Sequence, residues 1–223
     1  MSSTDATKPE GPAPLAQPPH LPETGAVPAD LLCLAADAYS LLQSLDNRHA
    51  GAFLARWPSE AAVYRPFSAT TLPVLQWFPT PETIAPSQRQ RLVARLHQMR
   101  AQLAWGQTYR AEDFGQGFLD RYGWTELIGA RGPIASEALA CGFLLLGPDV
   151  EYPDHHHRAE ELYVVLSGTA WWRCAAGPWR EQLPGAAIHH PSDVPHAMRT
   201  SGEPLLALYL WRGGDLTQKS VIS

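Results

Sequence analysis

From about Tyr109 to the C-terminus the chain is a succession of short apolar and aromatic runs, cut at regular intervals by glycine and proline. The runs are Y-G-W-T-E-L-I-G, A-L-A-C-G-F-L-L-L-G-P, L-Y-V-V-L-S-G, T-A-W-W-R-C, A-A-I-H-H-P and P-L-L-A-L-Y-L-W-R-G-G. Short segments of this kind with turn signals between them predict an antiparallel sandwich or small β-barrel. No strand-then-helix repetition, glycine-rich phosphate loop or internal repeat accompanies them, which argues against a nucleotide-binding α/β fold.

The text upstream is different. Residues 1–28 hold Pro9, Pro12, Pro14, Pro18, Pro19, Pro22 and Pro28 among small and polar residues. So few apolar groups do not offset the entropy of ordering the segment, and a disordered leader is expected. Residues 29–108 read as a helical region packing on the barrel of residues 109–223. Behind Asp30 as cap, Leu31, Leu34, Ala35, Ala38, Leu41, Leu42 and Leu45 recur at helical spacing. A second short helix is expected over 50–57. A third, from Pro86 or Ser87, carries Leu92, Val93, Leu96, Met99 and Leu103 on one stripe. A chain of 223 residues, 45% hydrophobic, is expected to form one main core.

The net charge of −5, with scattered Lys and Arg, leaves no footprint for nucleic acid or an anionic membrane, so a small-molecule partner is expected. Nothing reads as a membrane span or a secretory signal, which makes the cytoplasm the default location. Cys33, Cys141 and Cys174 are odd in number and widely spaced, and read as reduced structural thiols. Strand-rich segments such as A-W-W-R can pair between subunits, and a homodimer is expected.

The chemistry concentrates in Y-P-D-H-H-H-R-A-E-E-L-Y-V-V-L-S-G, residues 152–168. His155, His157, Glu161 and Tyr163 are separated by even numbers of residues. In extended chain such positions share a face, and His156 points away unless a turn intervenes in H-R-A-E. Two imidazoles and a carboxylate suit iron(II), manganese, zinc, nickel or cobalt, one ion per chain, and His196 in P-S-D-V-P-H is the candidate third histidine.

The stretch H-H-H-R-A-E-E-L-Y-V-V-L-S-G resembles the first cupin signature, with His155, His157, Glu161 and Gly168 at the signature positions. L-P-G-A-A-I-H-H-P-S-D-V-P-H resembles the second, ending in His196. The glycine that usually opens the first motif stands far upstream, at Gly147, so the approach loop is longer than typical. Tyr163, Tyr152 and the run H-A-M-R-T-S-G-E-P-L-L-A-L-Y-L-W-R-G-G-D-L resemble the cupin dimethylsulfoniopropionate (DMSP) lyases. L-D-R-Y-G-W-T-E-L-I-G and the helical part look most like their DddL branch. The resemblance runs from about Leu31 to the C-terminus. It implies a mainly β fold with a jelly-roll barrel, and a carbon–sulfur lyase that cleaves DMSP to dimethyl sulfide and acrylate. It also implies a divalent metal held by His155, His157, Glu161 and His196, with Tyr163 as the catalytic base and Tyr152 as the next candidate.

A sulfonium can rest against aromatic faces without an acidic partner. Tyr122, Trp124, Tyr152, Trp171, Trp172, Tyr209 and Trp211 are the aromatic candidates on barrel segments, and of these Tyr122, Trp124, Trp171, Tyr209 and Trp211 are assigned to substrate binding. His189 and His190 read as neighbours of the ligands or as exposed hairpin residues, and His20, His49 and His97 as solvated. Two other readings share the same metal site: an enzyme acting on another small carboxylate, and a non-catalytic metal-binding sensor.

Overall fold

The structure, a computed structural model, describes residues 25–59 and 62–223. Most of the expected leader, residues 1–24, lies outside the described residues. Helices α1 (Ala29–Gln43), α2 (Ala50–Leu54) and α3 (Gln88–Met99) stand where the apolar periodicity puts them. The start of α1 differs from expectation. Pro28 occupies the cap position, its carbonyl accepting from Leu31 and Leu32, and Asp30 lies inside the first turn. There its carboxylate complements the positive end of the helix dipole instead of capping an N–H. α3 begins with a true side-chain cap, the Ser87 hydroxyl accepting from the Gln90 N–H at 3.1 Å.

The sheet region begins earlier than residue 109, with β1 (Trp105–Gly106), and two short helices, α4 (Ala111–Phe114) and α5 (Gln116–Leu119), precede the main strands. These are β2 (Tyr122–Gly129), β3 (Ile134–Ala135), β4 (Leu139–Leu146), β5 (Glu151–His156), β6 (Glu160–Ser167) and β7 (Ala170–Cys174), followed by β8 (Arg180–Gln182), β9 (Ala187–His190), β10 (His196–Thr200), β11 (Leu205–Arg212) and β12 (Val221–Ile222). One seven-stranded sheet has the order β1-β2-β4-β11-β6-β9 with β3 beside β2, and a five-stranded sheet has the order β12-β5-β10-β7-β8. The six apolar runs of the sequence correspond to β2, β4, β6, β7, β9 and β11. β5 and β10 escape that reading because neither is an apolar run: E-Y-P-D-H-H buries only Tyr152 and His155.

β4 and β11 lie in the middle of the larger sheet and are covered on both faces, so A-C-G-F-L-L-L and L-L-A-L-Y-L show no polar alternation. Phe143, Leu145, Leu206, Leu208 and Leu210 pack with the buried faces of α1 and α3, whereas Leu144, Leu146, Ala207 and Tyr209 belong to the barrel interior. The larger sheet therefore divides the expected single core in two. The A-W-W-R segment is not an open edge, since β7 pairs with both β10 and β8.

Gly168 turns the chain from β6 into β7 with φ at 81°, and a Cβ there would stand 1.9 Å from the Pro204 carbonyl oxygen. Both the left-handed backbone and the clash forbid a side chain. Gly168→Ala is expected to destabilise the fold by about 2 kcal/mol or more, read as a lowered midpoint in denaturant unfolding. An unchanged midpoint would show that this turn has room to relax.

Candidate functional site

The even spacing brings His155, His157, Glu161 and Tyr163 to the barrel interior, but by a route that simple extension does not describe. The chain leaves β5 after His156, turns through residues 157–159 and re-enters as β6 in the opposite sheet. His155 and Glu161 thus face one another from different sheets. His196 joins them because β10 pairs with β5 in a register that sets it opposite His155. His156 points away, its Nδ1 2.8 Å from the Ser223 hydroxyl.

His157, Glu161 and His196 are buried and each brings one ligand atom within 4.8 Å of the others. The Nε2 atoms of His157 and His196 each lie 3.1 Å from Glu161 Oε2. His155 stands at the margin of this group, its ring 4.2 Å from that of His196 and 6.3 Å from that of His157. The Nδ1 atoms of His155, His157 and His196 lie 2.8, 2.8 and 3.0 Å from the carbonyl oxygens of Pro153, Ala159 and Val194. A carbonyl only accepts, so Nδ1 carries the proton and Nε2 of each neutral ring carries the lone pair.

This arrangement tests whether a metal fits. A carboxylate oxygen 3.1 Å from two imidazole Nε2 atoms requires positive charge among them, either a proton on a ring, as on His157, which burial lowers but Glu161 more than offsets, or a cation. His196 Nε2 is buried and makes no hydrogen bond in spite of that short approach. A divalent first-row cation satisfies all of these atoms at once, and the donor set suits it. The electrostatics agree. Burial opposes ionisation of Glu161, yet the facing His157 and His196 overcome it and hold the carboxyl well below its usual range. Burial, with His196 adding to it, holds His155 down at about 3, so its ring is neutral and able to ligate.

Two further residues brace the cluster. Trp211 Nε1 donates to Glu161 Oε1 at 2.5 Å, and its ring lies 4.1 Å from that of His157. His190 stacks on His196 at 4.0 Å with an 8° tilt, and neither of its ring nitrogens has a hydrogen-bond partner among the described residues. Its place is set by the pairing of β9 with β6, opposite Glu161, a cross-strand relation that spacing along the chain does not reveal.

A cavity of about 240 Å³ opens beside the cluster, walled by Tyr163, Tyr152, Tyr122, Trp124, Tyr209 and Trp211. Of the expected substrate-binding residues only Trp171 is absent. It lies on the outer side of β7 with the Arg199 guanidinium 6.0 Å from its ring, while Trp172, one residue on, is buried beside Tyr163. Tyr152 stacks on His155 at 4.1 Å, and its hydroxyl lies 3.0 Å from that of Tyr109. Burial, followed by the Glu161 charge, holds the Tyr163 phenol well above its usual range in the bare protein. The sequence reading did not single out Glu126, or the segment around Leu216–Ser220 that closes one side of the cavity.

His49, expected to be solvated, instead stacks on His189 at 3.7 Å and forms a second cluster with Glu160. Arg48 Nε already donates to His49 Nε2 at 3.0 Å and Arg212 pairs with Glu160, so this group satisfies itself without an ion.

A family model described as dimethylsulfoniopropionate lyase matches residues 48–207. The DMSP lyase DddQ of Ruegeria pomeroyi is 41% identical over 119 residues, 53% of this chain and 59% of that protein. The DddL protein of Cereibacter sphaeroides is 32% identical over 122 residues, 54% of this chain and 50% of that protein, so identity is higher to DddQ than to the branch suggested by L-D-R-Y-G-W-T-E-L-I-G. The chain therefore aligns with between half and three-fifths of these curated relatives. Among solved structures, a chain from the crystal structures of the DMSP lyases RdDddP and RnDddQII superposes with a TM-score of 0.78 at 33% identity, covering 87% of this chain and 98% of its own. DddQ from Ruegeria pomeroyi DSS-3 gives 0.75 at 29% identity, covering 87% and 96%. The family match spans well over half the chain and includes His155, His157, Glu161 and His196: this protein belongs to the DMSP lyase family and shares the mainly antiparallel β fold of its solved members.

Proposed function

We propose that this protein is a metal-dependent lyase that cleaves DMSP by β-elimination to dimethyl sulfide and acrylate. The observation that carries the reading is the set of three imidazoles with Nδ1 fixed on backbone carbonyls, beside Glu161, opening on an aromatic cavity that contains Tyr163. His157, Glu161 and His196 form the nucleus of the ligand set and His155 completes it. The ion is one of Fe2+, Mn2+, Zn2+, Ni2+ or Co2+. When bound, it supplies positive charge that holds a substrate carboxylate, stabilises the enolate-like charge developing beside it, and favours the Tyr163 phenolate.

Tyr163 takes the proton from the carbon next to the substrate carboxylate. The electrons of that C–H bond form the C=C of acrylate, and the C–S pair leaves with sulfur as neutral dimethyl sulfide. Tyr163 suits the task because its ring is packed against Trp172 and His190 while its edge lines the cavity. Tyr152 sits on the far side of His155, hydrogen-bonded to Tyr109, and orients that ring. The proposed place of action is the cytoplasm, where the free thiols of Cys33, Cys141 and Cys174 stay reduced. No helix among the described residues is long and apolar enough to cross a membrane. A homodimer stays part of the proposal, with the outer strands β8 and β9 as the open edges in place of β7.

Headspace gas chromatography for dimethyl sulfide, after DMSP is added to metal-reconstituted protein, tests the activity, and a protein that releases none is not this lyase. His157→Ala and His196→Ala are each expected to remove both metal and turnover. Full occupancy by elemental analysis in both variants would place the ion elsewhere.

Tyr163→Phe is expected to keep fold and metal and to lose about 10²- to 10⁴-fold in turnover, the span of a general base. A variant within about threefold of wild type would remove Tyr163 from that role. Trp211→Phe removes the N–H on Glu161 Oε1 together with part of the ring that packs on His157, and metal affinity is expected to fall by about 10- to 100-fold, measured by competition with a chelator. Unchanged affinity would show that the bond does not orient Glu161.

A further inference from the structure

Glu126 is a carboxylate in a place where apolar chemistry would be expected. It projects from β2 into the same cavity as Tyr163, is 8% exposed, and has Trp124, Tyr209 and Trp211 as fellow lining residues. The strand registers set it in one row across the sheet: Glu126 opposite Gly142, Gly142 opposite Tyr209, and Tyr209 opposite Tyr163. Gly142 leaves that row open. A Cβ there would come within 2.8 Å of the Tyr209 ring and hydroxyl, so no side chain of β4 stands between Glu126 and Tyr209.

The hydrogen bonding of Glu126 is half complete. Oε1 accepts from the backbone N–H groups of Arg131 and Gly132 at 2.6 and 2.9 Å, which fixes the carboxylate. Oε2 has no hydrogen bond or ion pair among the described residues. The cations that share the cavity are turned to other partners. Arg131 lies 5.5 Å from the Trp124 ring and donates to the Leu216 carbonyl, and Lys219 is 3.9 Å from Asp113 and over the Tyr109 ring. Burial pushes the Glu126 carboxyl up and Arg131 and Arg65 oppose it without a salt bridge to Oε2 among the described residues, so the second oxygen, open to the cavity between aromatic faces, favours a positive partner there. An onium centre suits it: it carries charge but no N–H or O–H, so it needs contact with a negative oxygen and π-faces and offers nothing to hydrogen-bond.

We infer that Glu126 is the specificity-determining residue for the cationic end of the substrate, its free oxygen and the flanking aromatic rings forming an onium subsite across the cavity from the metal cluster. The inference rests on the lyase reading for the identity of the sulfonium, but not for the existence of a cation site. The sequence reading assigned the sulfonium to aromatic faces alone. Glu126 adds selection for charge, so that a neutral molecule of the same shape leaves a buried carboxylate unpaired.

Glu126→Gln is the decisive substitution, because the amide oxygen keeps an acceptor for Arg131 and Gly132 while the charge is lost. The probes for the metal-loaded enzyme are DMSP, the neutral-tailed isostere 4-methylpentanoate, and tetramethylammonium, which has no carboxylate to bind a metal. The variant is expected to raise KM for DMSP at least about tenfold with a smaller change in kcat, and to weaken tetramethylammonium binding by a similar factor in calorimetry. The inhibition constant of 4-methylpentanoate is expected to stay within about twofold or to fall, since its tail carries no positive charge for Glu126 to meet. Equal weakening of 4-methylpentanoate would mean that Glu126 only props the loop through Arg131 and Gly132, and would overturn the inference. So would a KM and a tetramethylammonium affinity that do not change. If wild-type protein releases no dimethyl sulfide, the lyase reading fails on its own, and the tetramethylammonium titration alone decides the fate of the subsite.

Discussion

The structure depends on one buried carboxylate. Glu161 lies fully inside the barrel, with histidine nitrogens 3.1 Å from one oxygen and the indole N–H of Trp211 2.5 Å from the other. An isolated carboxylate in such a place would cost several kcal/mol and would protonate instead. It stays charged because three elements converge on it: the corner after β5 brings His157, β10 brings His196, and β11 brings Trp211. The two sheets of the barrel are therefore held to each other by polar chemistry as well as by their apolar faces. A metal is the natural partner of this arrangement, and its binding free energy adds to the stability of the fold.

The larger sheet serves two purposes because it is covered on both faces. Its outer face packs under α1 and α3, and its inner face is free to be aromatic and functional. This explains an unusual feature of the interior. Tyr109, Tyr122, Tyr152, Tyr163 and Tyr209 are all buried on the cavity side, and those among them with shifted phenols are raised by burial first. Stability comes from the aliphatic layer under the helices, so the inner layer can hold hydroxyls, a carboxylate and imidazoles.

Two carboxylates line the cavity at separate places, Glu161 within the histidine cluster and Glu126 with its open oxygen, among aromatic rings and polar side chains such as Gln107, Thr108, Arg131 and Lys219. Under the proposed lyase reading, a zwitterion with a carboxylate at one end and an onium at the other matches that pattern, whereas a neutral molecule does not. The same arrangement leaves the second histidine group, His49 with His189 and Glu160, with no call for a ligand, because arginines already complete it.

Much of this was legible in the sequence, for identifiable reasons. The apolar runs that became β2, β4, β6, β7, β9 and β11 could be read because burial on a sheet demands apolar residues at short range. The stripes of α1 and α3 were readable because helical period and burial coincide. Even spacing put Glu161 and Tyr163 on one face of β6, since alternation of side chains is a local property of extended chain, whereas His157 faces in because the chain turns after β5 and changes sheet. What no local rule contains is which strand lies beside which. β5 and β10 carry His155 and His196 but are not apolar enough to announce themselves. Trp171 and Trp172 were equivalent until the sheet decided which one faces in. His190 against His196, Trp211 on Glu161, and Glu126 in line with Tyr209 and Tyr163 all arise from pairing between residues tens of positions apart. The sequence by itself determined the residue types of the cluster, the strand content and the helical cover. Only the tertiary structure decided which side chains meet, because register between distant strands is set by how the whole sheet closes and not by any one segment.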